Sequence, residues 1–371
     1  MNRIAARIGL AQRVLPGYRT GLFDALASAA EGGLSVFAGQ PRPGESIDSG
    51  TLYRAEYCPA HNLHLLGGRF YLCYQAGLTG WLERWQPDVL IMEANPRYLR
   101  TPAAVHWMHL RRRPVIGWGL GAPALTGRLA NVRAAARRRF LSQFDAMITY
   151  SRQGAAEYAQ AGFPPERVFV APNAVAPRPA HPPPERPERF SAQGAAVLFV
   201  GRLQPRKRVD ALLRACAALP EGLRPQVWII GDGPARPSLE KLAAQVYPAA
   251  RFFGAKQGEE LNALFTAADL FVLPGTGGLA VQQAMSWGLP VIVAEADGTQ
   301  SDLVRPQNGW ALPPGDLQAL QRALRQALAE PARLRAMGNA SYRIVVEEIN
   351  LEHMVEVFAQ AIAAALPRRG R

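Results

Sequence analysis

Short, unbroken apolar runs alternate with helix-length segments along almost the whole chain, and this alternation narrows the fold more than any other feature. In the first half the runs are residues 3–10, 34–37, 89–92, 115–118, 146–149 and 168–170, with helix-like stretches at 21–30, 101–110, 129–142 and 153–161. In the second half the runs 197–200, 227–230, 270–273 and 291–294 alternate with stretches near 210–219, 236–246, 259–266 and 279–286. Runs without polar alternation are buried on both faces, as in parallel sheets covered by helices. Two such βαβ arrays in series predict an α/β protein of two doubly wound domains. With 371 residues the chain exceeds one ordinary core, which agrees.

The boundary shows in composition. Residues 177–187 are proline-dense, can continue neither sheet nor helix, and read as a semi-rigid linker. The predicted organisation is a first domain over 1–175, a linker over 176–192, a second domain over 193–345 and a C-terminal helix over 346–371. The tail is read as helical from Asp316 to about Leu366, long enough to pass back across the domain interface. Two facing domains of this kind would form a cleft, with ligands at the carboxyl ends of the strands.

An apolar content of 49% and a charged content of 19% fit a folded chain rather than a disordered one. Cys58, Cys73 and Cys216 have no CxxC spacing and are odd in number, so they read as reduced structural thiols, with neither disulfide nor zinc. Arginines break every apolar run near the N-terminus, and no run reaches eighteen apolar residues; a signal peptide and a membrane span are not expected, and a cytoplasmic protein is. The net charge of +13 is lopsided. Residues 1–180 hold 21 arginines, no lysine and 11 acids, a net +10; residues 181–371 hold 21 basic and 18 acidic groups, a net +3. A basic half suggests nucleic acid, an anionic membrane or an anionic substrate, or simply a preference for arginine wherever the surface needs charge.

Chemistry concentrates in PGTGGLAVQQAMSWGLPVIV, residues 274–293. A strand ends, Gly275-Thr276-Gly277-Gly278 turns, and a helix begins near Leu279. Glycines let backbone N–H groups approach a ligand, and the helix N-terminus adds free donors and partial positive charge, so the turn suits phosphate. Such turns also occur merely to save space. The stretch VLFVGRLQPRKRVDALL, residues 197–213, places Arg202 and Lys207 around a proline-containing strand–turn–helix junction. Only three lysines occur in the chain, Lys207, Lys241 and Lys256, so a lysine at this junction stands out. An ammonium beside a forked guanidinium suits adjacent phosphates, although Arg206 and Arg208 also allow a plain solvated basic turn.

Together with IIGDGPARPSLEKLA (229–243), RFFGAKQGEELNALFTAADLFVLP (251–274), GLAVQQAMSWGLPVIVAEADGTQSDLV and PQNGWALPPGD, these residues resemble the donor-binding domain of family 4 retaining glycosyltransferases of the GT-B fold. Order and spacing agree over about 150 residues. LPGYRTGLFDALA near the start and RVFVAPNAV before the linker resemble the family more weakly. The resemblance implies two Rossmann-like GT-B domains facing a cleft. It implies that Arg202 and Lys207 bind the diphosphate of a nucleotide-sugar and serve catalysis. Gly254 and its neighbours would hold the base, and Thr276, Gly277, Gly278 and Leu279 the phosphate and sugar, with Gly17 also on the donor. It further implies retaining transfer to a glycan or lipid-linked acceptor, as in cell-surface polysaccharide or lipopolysaccharide assembly. The donor is then substrate, with no cofactor and no metal, and no DxD metal motif occurs. Asp232 in IIGDGP reads as a turn-former rather than an acid.

The chain also departs from the family. Members carry two glutamates with seven residues between them across this turn and helix; here the positions hold Gly275 and Gln283. Gln283 can still bond ribose hydroxyls without charge assistance, whereas Gly275 has no side chain to reach a sugar. The family histidine after a first-half strand is also missing from GWGLGAP, residues 117–123, and His106 and His109 read as surface residues. Two readings stay open: a subfamily using another sugar, or an inactive relative. Arg111–Arg113 and Arg137–Arg139 make two basic clusters, the second on a segment that reads as an amphipathic helix suited to anionic lipid. Nucleic acid is disfavoured, because aromatics do not interleave with these arginines and no recognition module occurs.

Overall fold

The computed structural model describes residues 3–366 except 43, 46 and 297. The chain divides into two compact units, Met1–Pro177 with Leu351–Arg371, and Arg178–Asn350.

The first unit runs β1 (Ile8–Val14), α1 (Thr20–Ala29), β2 (Leu34–Gly39), β3 (Glu56–Pro59), β4 (His61–Leu65), β5 (Leu72–Ala76), α2 (Leu78–Trp85), β6 (Val89–Glu93), α3 (Thr101–His109), β7 (Val115–Gly119), α4 (Ala130–Leu141), β8 (Ala146–Thr149), α5 (Arg152–Gln160) and β9 (Val168–Val170). Seven strands form a parallel sheet in the order β3-β2-β1-β6-β7-β8-β9, while β4 and β5 pair antiparallel. Central strands are apolar because both faces are covered: every residue of β2 and β8 is buried. Each fully buried Ile, Leu or Val, such as Ile8, Leu90 and Ile116, contributes about 1.5–3 kcal/mol.

The second unit runs β10 (Ala196–Val200), α6 (Val209–Ala217), β11 (Gln226–Ile230), α7 (Arg236–Val246), β12 (Arg251–Gly254), α8 (Gly258–Ala267), β13 (Leu270–Leu273), α9 (Leu279–Ser286), β14 (Val291–Ala294), α10 (Gln300–Leu303), β15 (Gly309–Leu312), α11 (Leu317–Ala329) and α12 (Pro331–Glu347). Its sheet is parallel, in the order β12-β11-β10-β13-β14-β15. The proline-dense segment counts with this unit and is tied to it. Arg186 donates to the carbonyls of Ala268 at 2.8 Å and Phe265 at 2.9 Å, and the Tyr342 hydroxyl donates to His181 O at 2.6 Å.

A last helix, α13 (Leu351–Ala365), belongs to the first unit. Phe358 meets Trp118 edge-on at 5.1 Å, and the Leu351 N–H bonds Ala176 O at 3.1 Å. The tail read as helical from Asp316 to about Leu366 consists of three helices, α11, α12 and α13. Pro331, at the first position of α12, cannot continue α11. Buried Asn350 ends α12 by donating to Val345 O and Val346 O, both at 2.9 Å.

Candidate functional site

In each parallel sheet the strand order reverses direction at one place, and ligands of open α/β sheets bind outside the carboxyl ends of the strands there. In the second unit that place lies between β10 and β13. The loops leaving them are Gly201–Arg208 and Pro274–Gly278, the two segments singled out from sequence. Their backbones are knitted together. The Thr276 N–H donates to Arg206 O at 3.0 Å, and Arg206 Nη1 donates to Thr276 Oγ1 at 2.9 Å. A β-carbon at Gly275 would collide with Arg206 O and the Lys207 backbone, so the approach requires glycine. A family glutamate could not occupy this position without moving the loop.

Lys207 reaches the turn. A β-carbon at Gly277 would collide with Lys207 Nζ, and Gly277 has φ 134°, a conformation that L side chains rarely adopt. Burial, and then the nearby Arg206 charge, lower the Lys207 amine to about 8. The N–H groups of Gly277, Gly278 and Leu279 make no hydrogen bond to another described residue, and no side chain caps α9. Gln300 steadies the turn from behind, donating to Gly277 O at 3.3 Å and accepting from Ala296 N at 3.2 Å. The result is a set of backbone donors at a helix N-terminus with an ammonium beside them, which is chemistry for an anion such as a diphosphate.

The other predicted residues divide. Arg202 is exposed and forms no hydrogen bond or ion pair with a described residue, so Arg206, not Arg202, is bonded to the turn. Gln283 lies half-buried on α9, and its amide makes no hydrogen bond among the described residues. Its neighbour Gln282 is structural, donating to Ile349 O at 2.8 Å. Gly254 ends β12 with φ 72°, and its carbonyl accepts the Gly231 N–H at 2.7 Å. Asp232 accepts the Gly233 N–H at 2.7 Å and pairs with Arg236 at 3.0 Å, as a turn-former does. In the first unit the Gly17 N–H is taken by Asp48 O at 2.8 Å, and its carbonyl by Thr20 Oγ1 at 2.9 Å. His109 sits on the surface against Asp145 at 3.0 Å.

Sequence reasoning overlooked the corresponding place in the first unit. Its sheet reverses between β1 and β6. A crevice of about 220 Å³ opens there, lined by Arg13, Tyr18, Arg19, Glu93, Tyr98 and Tyr150 among others. Arg13 pairs with Glu45 at 2.7 Å, and Glu45 also receives Arg42 at 2.6 Å. Burial alone would raise the Glu45 acid, yet these hydrogen bonds hold it at about 2. Glu93 accepts the Arg13 N–H at 2.6 Å; burial raises its acid above the ordinary value. Arg19 is only 3% exposed, with its guanidinium carbon 5.0 Å from the centre of the Trp118 ring and 4.9 Å from that of Tyr150. The available signal was position for two of them: Arg13 and Glu93 sit just after the apolar runs 3–10 and 89–92, whereas Arg19 carries no such mark. Among the described residues, no three His, Cys, Asp or Glu side chains gather to hold a metal ion.

Two α/β units, each a parallel sheet with such a reversal, define a GT-B fold, and solved structures agree. Sucrose-phosphate synthase from Thermosynechococcus elongatus superposes with TM-score 0.69 at 20% identity, covering 96% of this chain and 99% of that one. The Anabaena protein HepE in complex with UDP superposes with TM-score 0.69 at 16% identity, covering 98% and 100%. Residues 18–174 match the family described as glycosyl transferase 4-like domain, and residues 185–344 match glycosyl transferases group 1. Each of the two units thus carries a segment that matches a glycosyltransferase family model. Among curated proteins, the sulfoquinovosyl transferase SQD2 of Arabidopsis thaliana is 36% identical over 151 residues, 39% of this chain and 29% of its own length. The lipopolysaccharide core biosynthesis glycosyltransferase LpsE of Rhizobium meliloti (strain 1021) is 26% identical over 176 residues, 47% of this chain and 51% of its own length. The chain therefore spans about half or less of these relatives.

Proposed function

We propose that this protein is a retaining glycosyltransferase that binds a nucleoside-diphosphate sugar at the Gly277 turn and transfers the sugar to a glycan or lipid-linked acceptor. The observation that carries the reading is Lys207 Nζ set against Gly277, beside three unbonded N–H groups at the start of α9. Lys207 and these donors hold the diphosphate, and the exposed Arg202 adds charge. As the bond between sugar and diphosphate breaks, negative charge grows on the leaving oxygen, where preorganised donors stabilise it most. That oxygen takes the proton of the attacking acceptor hydroxyl, the new bond forms on the same face, and no metal is needed to neutralise the diphosphate.

The likeness to LpsE supports a role in cell-surface polysaccharide or lipopolysaccharide assembly, with the protein on the cytoplasmic side and its arginine-rich first unit at anionic lipid. Because Gly275 offers no side chain to a sugar hydroxyl, the donor sugar is deoxy or N-acetylated. Isothermal titration with UDP, GDP and dTDP, followed by a panel of their sugars, tests the reading; one nucleotide should bind and one sugar turn over. Lys207→Ala should lose about 2–4 kcal/mol of transition-state stabilisation, the scale of one preorganised donor. Binding of none of the nucleotides, or near-normal turnover in the Lys207→Ala protein, would refute it.

A further inference from the structure

A buried charge without a counter-charge is unfavourable, and proteins pair or hydrogen-bond such groups. Arg19 is buried in the first unit, lines the crevice between β1 and β6, and forms no ion pair with a described residue. Its contacts are the faces of Tyr18, Trp118 and Tyr150, a hydrogen bond to the Tyr150 hydroxyl, and a long contact from Nη1 to Met354 Sδ at 3.9 Å. Aromatic faces attract a cation and hold its plane, and the Tyr150 hydroxyl accepts one bond, but none of these groups supplies a negative charge. The carboxylates nearby are committed elsewhere: Glu45 lies between Arg13 and Arg42, and one Glu93 oxygen accepts the Arg13 N–H. Burial also disfavours the charged form of Glu93, although Arg13 and Arg19 both act against that.

We propose that this crevice binds an acidic group, phosphate or carboxylate, carried by the acceptor, and that Arg19 supplies its counter-charge. The assignment rests on the glycosyltransferase reading for the word acceptor alone; the anion site stands on the geometry of the first unit. A guanidinium fixed between rings presents its fork in one orientation, so it suits a planar or tetrahedral group with two adjacent oxygens. Tyr18, 47% exposed beside it, offers a face for the sugar or other body that carries the acid.

The test is calorimetric binding of glucose 6-phosphate, glucuronate and glucose to the full chain, separately in the parent, Arg19→Met, Arg19→Lys, Glu93→Gln and Lys207→Ala proteins. At least one acidic sugar should bind while glucose does not, and the tighter of the two identifies the acid. Arg19→Met should weaken that binding by about tenfold or more, the scale of a lost charge-assisted hydrogen bond. Arg19→Lys, which keeps the charge but loses the fork, should weaken it less and guards against a variant that merely unfolds. Glu93→Gln should leave binding unchanged or tighten it, because a competing carboxylate is gone. Lys207→Ala should leave it unchanged, which separates this site from the nucleotide site of the second unit. Equal binding of glucose, no binding of either acid, dependence on Lys207 instead of Arg19, or tenfold loss in Glu93→Gln would overturn the proposal.

Discussion

At the Gly277 turn the charge on Lys207 depends on pH within an accessible range. Its amine titrates near 8, against an ordinary 10.5, so it is an ammonium below that pH and neutral above it. A diphosphate requires the ammonium, so nucleotide affinity should hold steady below about pH 8 and weaken as pH rises through it. For the unliganded fold the sign reverses. Between about 8 and 10.5 the unfolded chain binds more protons at this position, so its contribution to stability grows as pH rises. Titration calorimetry and melting curves from pH 6.5 to 10 read both trends; affinity that stays flat until pH 10 would show that the amine is not lowered. Lys207 was legible because lysine is rare in this chain. The bond from Arg206 to the turn was not legible, because sequence spacing does not say which arginine's side chain reaches residue 276. Arg19 escaped notice because an arginine in an arginine-rich half looks like surface, and only burial among aromatic rings marks it out.

Strands buried on both faces were the legible elements, since short apolar runs alternating with helical stretches point to covered parallel strands, as β2, β8, β13 and β14 are. The strands β3, β4 and β5 were not, because they carry exposed or alternating residues such as Glu56, His61 and His64 and so lack the apolar run. α2 was hidden by its eight-residue length and Gly80. The loops at residues 201–208 and 274–278 were recognised as separate motifs, but their mutual locking was not, because it runs through backbone atoms. Gly275 shows the difference. Read alone it is a lost glutamate; in the fold it is the position where one loop lies on the other. Gly275→Ala should therefore destabilise the protein by about 1–3 kcal/mol, as overpacking does, and weaken nucleotide binding. A melting curve and a nucleotide isotherm both equal to the parent's would mean that the loops part without cost.

For the molecule as a whole, the excess of arginine in the first half bears on where it works. α4 buries only Leu141; Arg138 and Arg139 are exposed, but Arg137 is half-buried and donates to Pro123 O. The helix is therefore less cleanly amphipathic than its sequence suggests, with Val132 67% exposed among the arginines. Electrostatic docking on lipid should then depend on Arg138 and Arg139 more than on Arg137. Vesicle co-sedimentation should require anionic lipid and fade with added salt, given a screening length of about 8 Å at physiological ionic strength. Binding to neutral vesicles alike, or to neither kind, would count against membrane placement. Two α/β units were readable from the doubled alternation, whereas the exact seam was not, because Leu351 begins a new helix after a break made by one buried asparagine. That seam sets an order of events at the ribosome. Residues 178–350 leave as a contiguous unit and can close on themselves while the protein is still being made. The unit begun first is finished last: until α13 emerges, Trp118 lacks its Phe358 partner and Gly21 lacks the Leu351 side chain beside it. A chain stalled or clipped before Leu351 would thus carry a closed second unit behind an N-terminal half with its apolar surface still open.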